Sequence, residues 1–209
     1  MKSYGKLIVM LIAAWFLFAL LGSAEHLFSN NSNRFGIGVA LAASLPLVIF
    51  AAWFAASAGF RQFLLSLNPS ALTLAQSWRL IGFIFVLAEA RGILPAIFAL
   101  PAGYGDMLIG ATATYVALKL AQPAHRSSFI FWQILGITDL VLAVGLGTTA
   151  PLLTPGSSML VMTVLPLSLI PTFLVPLFLM LHVICIAQAR SWKHASSVAW
   201  QPRTPSMSV

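Results

Sequence analysis

Residues 129–146 read FIFWQILGITDLVLAVGL and contain one charged residue, Asp139. An apolar stretch of about 18 residues or more is long enough to cross the hydrocarbon core of a bilayer as a helix. A carboxylate near the middle of such a helix is costly to place in lipid, so it usually faces the protein interior and finds a partner there. This stretch therefore predicts a transmembrane helix that carries a buried polar site.

The rest of the chain has the same character. Its 209 residues are 60% hydrophobic and 7% charged, and the mean hydropathy is +0.97. This composition excludes a soluble domain and is typical of a multi-pass membrane protein, whose partner is the lipid bilayer. The net charge of +7 comes from bases in alternate loops, so we expect no nucleic-acid binding. The one cysteine, Cys185, excludes an internal disulfide and a CxxC site.

We predict an all-α integral membrane protein, a bundle of six transmembrane helices with both termini in the cytoplasm. A single transmembrane domain covers residues 1–190, and a flexible cytoplasmic tail covers residues 191–209. The six apolar runs are 7–21, 35–60, 72–93, 105–121, 129–146 and 159–186. Between the third and fourth runs, we expect Pro95, Pro101, Gly103 and Gly105 to break the helix.

Two runs leave alternatives open. The first has 15 residues and is followed by Gly-Ser-Ala, so it is either a retained helix or a cleaved signal peptide. We favour the retained helix because further spans follow at once. The last run has 28 residues, which extend about 42 Å as a helix against a hydrocarbon core of about 30 Å. With Pro166, Pro171 and Pro176 inside it, this run forms either one tilted, kinked helix or a re-entrant segment followed by a shorter span.

The distribution of basic residues predicts the orientation. In the six-helix arrangement, eight bases fall on one side of the membrane and two on the other. The eight are Lys2, Lys6, Arg61, Lys119, Arg126, Arg190, Lys193 and Arg203, and the two are Arg34 and Arg91. Because short loops rich in Lys and Arg stay in the cytoplasm, we expect both termini there.

Two groups of charged residues are candidate sites. The outer-face polar cluster consists of Glu25, His26, Glu89, Arg91 and Asp106. Such a group can bind a cation or a zwitterion or relay protons, or its members simply end helices at the membrane surface. The second candidate is an intramembrane ion pair of Arg79 with Asp139. That pair is either a static lock between two helices or a gate and counter-ion for a substrate.

Residues 103–106 read GYGD and resemble the G-x-G-D motif of the presenilin and prepilin-peptidase type of intramembrane aspartyl protease. The resemblance implies catalysis by two aspartates, here Asp106 and Asp139. The chain departs from that family in two ways. In the family the other catalytic aspartate precedes the motif, whereas here Asp139 follows it. The Pro-Ala-Leu motif of the presenilin branch is also missing. We therefore assign no catalytic residue, and the sequence favours a protein that is not an enzyme.

Residues 98–106, FALPAGYGD, also resemble a FALPAG-x-GD segment of small bacterial multi-pass membrane proteins. The resemblance spans roughly the third to the fifth helix and includes Arg79 and Asp139. The resemblance implies that the protein resides in a plasma membrane, namely a bacterial inner membrane. It implies no particular activity.

Three function classes follow from these residues. The preferred one is a small permease-like or proton-responsive membrane protein that uses its intramembrane charges. The second is a structural or accessory subunit that packs against another membrane protein, or a second copy of itself, through small-residue helix faces. The third is a membrane-embedded aspartyl hydrolase. We expect no cofactor and no metal, because the sequence has no metal-ligand or nucleotide-binding motif.

Reporter fusions test the orientation. Fusions after residues 30, 100 and 153 should report the outer side, and fusions after residues 68, 124 and the C-terminus should report the cytoplasm. A C-terminal reporter on the outer side would contradict the predicted orientation.

Overall fold

The computed structural model describes residues 2–29 and 37–192. Within these ranges the chain is helical and has no strand. Six helices are long and apolar enough to cross a membrane, which confirms the predicted all-α, multi-pass fold class. Arg34 and the predicted tail beyond Trp192 lie outside the described residues.

The helices are numbered in chain order. They are α1 Lys2–Ala24, α2 Ile37–Ala56, α3 Ala58–Leu65, α4 Pro69–Ala90, α5 Ala96–Leu120, α6 Arg126–Leu153 and α7 Ile170–Ser191. All but the short α3 are candidate spans. Three spans are not uniform: α4 is a 3₁₀ helix over Ala75–Gly82, α5 ends in a π turn over Val116–Leu120, and α7 begins with one over Ile170–Leu174.

The residues just before α3 and α4 show how the sequence begins these helices. The side chain of Ser57 accepts a hydrogen bond from the backbone N–H of Phe60, at the start of α3. The side chain of Asn68 accepts from the N–H groups of Ser70 and Ala71, and proline follows it as the first residue of α4. These caps satisfy N–H groups that have no partner inside the helix.

The fourth span begins earlier than the sequence indicated. It starts at Ala96, with Pro95 as its N-cap, and Pro101 lies inside it. Pro101 removes a single backbone hydrogen bond, which transmembrane helices tolerate when neighbouring helices pack around the site. Gly103 and Gly105 do not break the helix either. A Cβ on Gly103 would lie 3.0 Å from the carbonyl oxygen of Gly82, so this glycine brings α4 and α5 close together.

The last apolar run is interrupted, so it does not form one kinked helix. A short 3₁₀ turn over Leu160–Thr163 is followed by turns, and α7 begins only at Ile170. Much of the irregular part is buried, since Met162 is 2% exposed and Ser168 is fully buried, whereas Leu165 is 38% exposed. Backbone that is not helical is tolerated at membrane depth when protein surrounds it.

The bundle has an apolar outside and polar residues in the middle of its interior. Exposed apolar side chains include Val9, Met10, Ile37, Leu108 and Leu118. Buried polar side chains include Thr73, Gln76, Arg79, Gln133 and His182. This distribution is expected when lipid surrounds the helices, because a polar group then lowers its free energy by facing protein.

Two apolar clusters enclose the polar layer. The upper apolar cluster, near the end of α4 and the start of α5, includes Phe85, Ala102 and Ala150. The lower apolar cluster, near the end of α5, includes Ile109, Trp132 and Cys185. On α5, Asp106 lies between Ala102 and Ile109, so an apolar cluster lies on each side of the polar layer along this helix.

Candidate functional site

Arg79 lies at the centre of the polar layer. It is ten residues after the start of α4 and eleven before its end, and it is 1% exposed. Its Nε donates to Oδ1 of Asp106 on α5 at 2.7 Å, and its Nη2 donates to Oδ2 of Asp139 on α6. One guanidinium therefore joins three helices.

A second face of the guanidinium meets α6 and α7. Nη1 of Arg79 donates to the carbonyl oxygen of Gly136 at 3.2 Å and lies 3.2 Å from Nε2 of His182. Together, Arg79, Asp106, Asp139 and His182 are called the Arg79 cluster below. Four spanning helices, α4 to α7, contribute to it.

The 3₁₀ conformation of α4 explains why Arg79 faces inward. In a 3₁₀ helix, side chains three residues apart lie in line. Gln76, Arg79 and Gly82 of this segment follow this spacing and are buried, as is Thr73 three residues earlier, in the α-helical part of α4. The local conformation thus gathers the polar residues of α4 into one stripe facing α5, α6 and α7.

The hydrogen bonds around His182 have one possible direction, because a guanidinium donates and never accepts. Nε2 of His182 therefore accepts from Arg79, and Nδ1 carries the proton. Nδ1 donates to Oε1 of Gln133 at 2.5 Å, and Nε2 of Gln133 donates to the hydroxyl of Thr73 at 3.2 Å. The Thr73 hydroxyl in turn lies 3.8 Å from Sγ of Cys185. An oriented chain of hydrogen bonds thus runs from Arg79 to Thr73, which contacts Cys185 of the lower apolar cluster.

Three glycines make room for the side chains of the Arg79 cluster. An added Cβ would collide at each: Gly82 stands against Asp106, Gly105 against Asp139, and Gly136 against His182. The three glycines lie on α4, α5 and α6, and each faces a polar side chain on the next helix along the chain. The tight spacing of these helices is therefore matched to the polar groups that they hold.

The Arg79 cluster has more acceptors than donors. A guanidinium has five N–H groups, and four are used by the contacts above. In the described part of the chain, Oδ2 of Asp106 and Oδ1 of Asp139 accept no hydrogen bond. With both carboxylates ionised and His182 neutral, the cluster carries one net negative charge. It is therefore suited to a proton or another small cation and not to an anion.

Asp106 belongs to this cluster and not to the predicted outer-face polar cluster. It is 8% exposed and bonded to Arg79. The physical reason is the early start of α5, which carries Asp106 ten residues, or about 15 Å, into the bundle.

The other four residues of the predicted outer-face cluster lie at helix ends. Glu25 and His26 follow α1, Glu89 lies in the last turn of α4, and Arg91 follows that turn. His26 has a φ of +56°, and the N–H of Leu27 reaches back across it to the carbonyl of Gly22 at 2.8 Å. Such bonds close the end of a helix. Within residues 2–29 and 37–192, none of the four forms an ion pair.

His182, Gln133 and Gln76 are functional candidates that the sequence reasoning did not single out. Each is buried in the polar layer. The period of three from Thr73 to Arg79 was a usable signal for Gln76, but it required treating α4 as a 3₁₀ helix. Among the described residues, no group of three or more His, Cys, Asp or Glu side chains is arranged to hold a metal ion.

A family model matches residues 35–190, which is most of the chain. The chain belongs to the family described as Domain of unknown function (DUF8737). The matched region contains the whole Arg79 cluster and excludes Glu25 and His26. No curated protein and no solved structure matches the chain.

Two glycines of the same helix test the packing of the cluster. Gly136→Ala should lower the stability by about 1–3 kcal/mol, because its methyl group would collide with the His182 ring. Gly145→Ala is the matched control, since nothing lies within 4 Å of its added Cβ, and it should leave stability unchanged or raise it slightly. Thermal unfolding in detergent measures both. Equal melting temperatures for the two variants would contradict the described contact of α6 with α7.

Proposed function

We propose that this chain is a small permease-like, proton-responsive membrane protein whose working site is the Arg79 cluster. The observation that carries the proposal is one buried guanidinium shared by carboxylates from two other spanning helices. Ionisable residues inside a membrane are costly, and they commonly mark ion pathways and proton relays.

The position of the cluster supports a transport role. Apolar clusters enclose it on both sides, and it lies where four spanning helices meet. Transporters commonly place their binding site near the middle of the membrane and expose it to one side at a time. Opening either the upper or the lower apolar cluster would expose the Arg79 cluster to that side only.

The charge balance supports a response to protons. One guanidinium faces two carboxylates, so binding one proton makes the cluster neutral. The protonated carboxyl loses the attraction between opposite charges and keeps at most a hydrogen bond from the guanidinium to a neutral oxygen. Proton binding would therefore loosen one of the two links that Arg79 makes between helices.

The orientation completes the proposal. The eight-to-two distribution of bases supports an orientation with both termini in the cytoplasm. The FALPAG-x-GD resemblance supports a bacterial inner membrane as the location. In this orientation the upper apolar cluster faces outward and the lower apolar cluster faces the cytoplasm.

A structural subunit is the second candidate, and one observation favours it. Four of the five N–H groups of Arg79 are bonded, as in a static lock. Small-residue helix faces would then pack on a partner or a second copy. The aspartyl hydrolase requires Asp106 and Asp139 to share a water, whereas both are bonded to the same guanidinium here.

Proton uptake by proteoliposomes separates the permease from the subunit. After an external acid step, vesicles with the wild-type protein and an enclosed pH-sensitive dye should acidify several-fold faster than vesicles without protein. Asp139→Asn should abolish this excess. Glu25→Gln is the matched control, because it removes an exposed carboxylate outside the cluster and should keep the wild-type rate.

Stability measured on the same samples completes the test. Asp139→Asn and Arg79→Gln should each destabilise the protein, by up to about 3–5 kcal/mol, because each leaves a buried partner uncompensated. Asp139→Asn should cost less, since an amide oxygen still accepts from the guanidinium. The double variant should recover only part of the lost stability, because Asp106 still lacks Arg79, and it should not recover proton uptake. If wild-type and Asp139→Asn vesicles acidify at the rate of empty vesicles, the proton-responsive function is contradicted.

A further inference from the structure

The 3₁₀ segment of α4 is unusually long. It covers Ala75–Gly82, eight residues, whereas runs beyond about three or four residues are uncommon. Its hydrogen bonds have poorer geometry than those of an α-helix. The segment is continuous with α-helix on both sides, Pro69–Leu74 and Phe83–Ala90.

Nothing in the local sequence requires this conformation. The segment reads AQSWRLIG, without proline, and its one glycine is the last residue. Alanine, glutamine, arginine and leucine are among the good α-helix formers. The 3₁₀ form must therefore be held by contacts with other helices.

The contacts that hold it are those of its polar stripe. Nε2 of Gln76 donates to the carbonyl oxygen of Phe178 at 3.3 Å. One 3₁₀ turn later, Arg79 meets Asp106 and Asp139. In an α-helix, three residues turn through about 300° instead of about 360°, so Arg79 would leave the line of Gln76 by about 60°.

We propose that Ala75–Gly82 is the moving part of the protein, 3₁₀ while both carboxylates hold Arg79 and α-helical once Arg79 is released. The inference rests on the proposed function, since it gives proton binding at the Arg79 cluster a mechanical result. Conversion of eight residues from a rise of about 2.0 Å to about 1.5 Å each shortens α4 by about 4 Å.

A second observation points to the same segment. Oε1 of Gln76 is buried and has no hydrogen-bond partner among the described residues. An unsatisfied buried polar atom destabilises the conformation that contains it. The 3₁₀ form thus keeps Gln76 incompletely bonded, and the rotation to an α-helix moves this side chain.

The charged and titratable groups that face Arg79 set the conditions of the switch. They are Asp106 from α5, Asp139 from α6 and His182 from α7. His182 accepts from Arg79 as a neutral ring, and the proposal assigns the switch to the two carboxyls, whose protonation removes their charge attraction for the guanidinium. Helix α5 packs closely against the same 3₁₀ segment, because a Cβ on Gly110 would lie 2.6 Å from the backbone nitrogen of Leu80.

Spin-label distances across the segment test the proposal. Ala71→Cys and Leu87→Cys introduce exposed labelling sites on either side of the segment, in a full-length protein that also carries Cys185→Ala. Their backbone separation is about 28 Å with the 3₁₀ segment and about 24 Å without it. Labels at Ile97 and Tyr115 on α5 form the matched control, at about 27 Å in either state.

The proposal predicts a distance about 4 Å shorter in Arg79→Gln, and also in Asp139→Ala, which leaves the guanidinium no acceptor at position 139, with the α5 control unchanged. The second variant keeps the test decisive if the first does not fold. It also predicts that the wild-type distance shortens when the pH is lowered. Unchanged distances in folded samples of both variants would overturn the proposal, even if the vesicles take up protons.

A different result would separate the two proposals. If the variants shorten the distance but the wild type is insensitive to pH, Arg79 does hold the segment, and the proton-responsive function fails instead.

Discussion

Arg79 places a permanent positive charge in the middle of a bundle whose outer surface is apolar. Placing an arginine at the centre of a transmembrane helix costs about 3 kcal/mol on insertion scales, unless protein groups compensate it. Much of the interior supplies that compensation. Asp106 and Asp139 provide charge, His182 and the Gly136 carbonyl provide further acceptors, and the 3₁₀ form of α4 turns the guanidinium toward all of them. The glycines opposite these side chains follow from the same requirement, because the helices must approach closely for one side chain to reach three of them.

The apolar clusters above and below this layer give the charges their functional meaning. If the bundle were open to water on one side, water would solvate the carboxylates, and they would depend less on Arg79 for charge compensation. Between two apolar clusters, the Arg79 cluster must balance most of its charge internally, and one guanidinium against two carboxylates leaves one negative charge without a partner. A static lock between helices needs only one carboxylate. The second carboxylate, together with the long 3₁₀ segment, is what favours a proton-responsive protein over a purely structural subunit.

The sequence was sufficient for the fold class and insufficient for the architecture of the site. Apolar runs of transmembrane length predict the spans directly, because the bilayer fixes their length. The start of α5 was missed because proline usually ends a helix, whereas packing overrides that preference at Pro101. That one error moved Asp106 from the interior to the surface in the sequence-based interpretation. The roles of His182 and Gln133 could not be predicted for a different reason. Their hydrogen-bond partners lie on other helices, and the order of residues along the chain does not show which helices pack together.

The composition of the chain allows a direct measurement of the central claim. Asp106 and Asp139 are its only aspartates, so aspartate labelled with ¹³C at the carboxyl carbon marks the two carboxylates of the cluster and nothing else. Solid-state NMR in lipid bilayers, with ¹⁵N-labelled arginine, measures their distances to guanidinium nitrogens. The account predicts that both carboxyl signals show a nitrogen within about 4 Å, the reach of an ion pair, and that both couplings vanish in Arg79→Gln. A wild-type protein in which neither carboxyl carbon couples to an arginine nitrogen would contradict it.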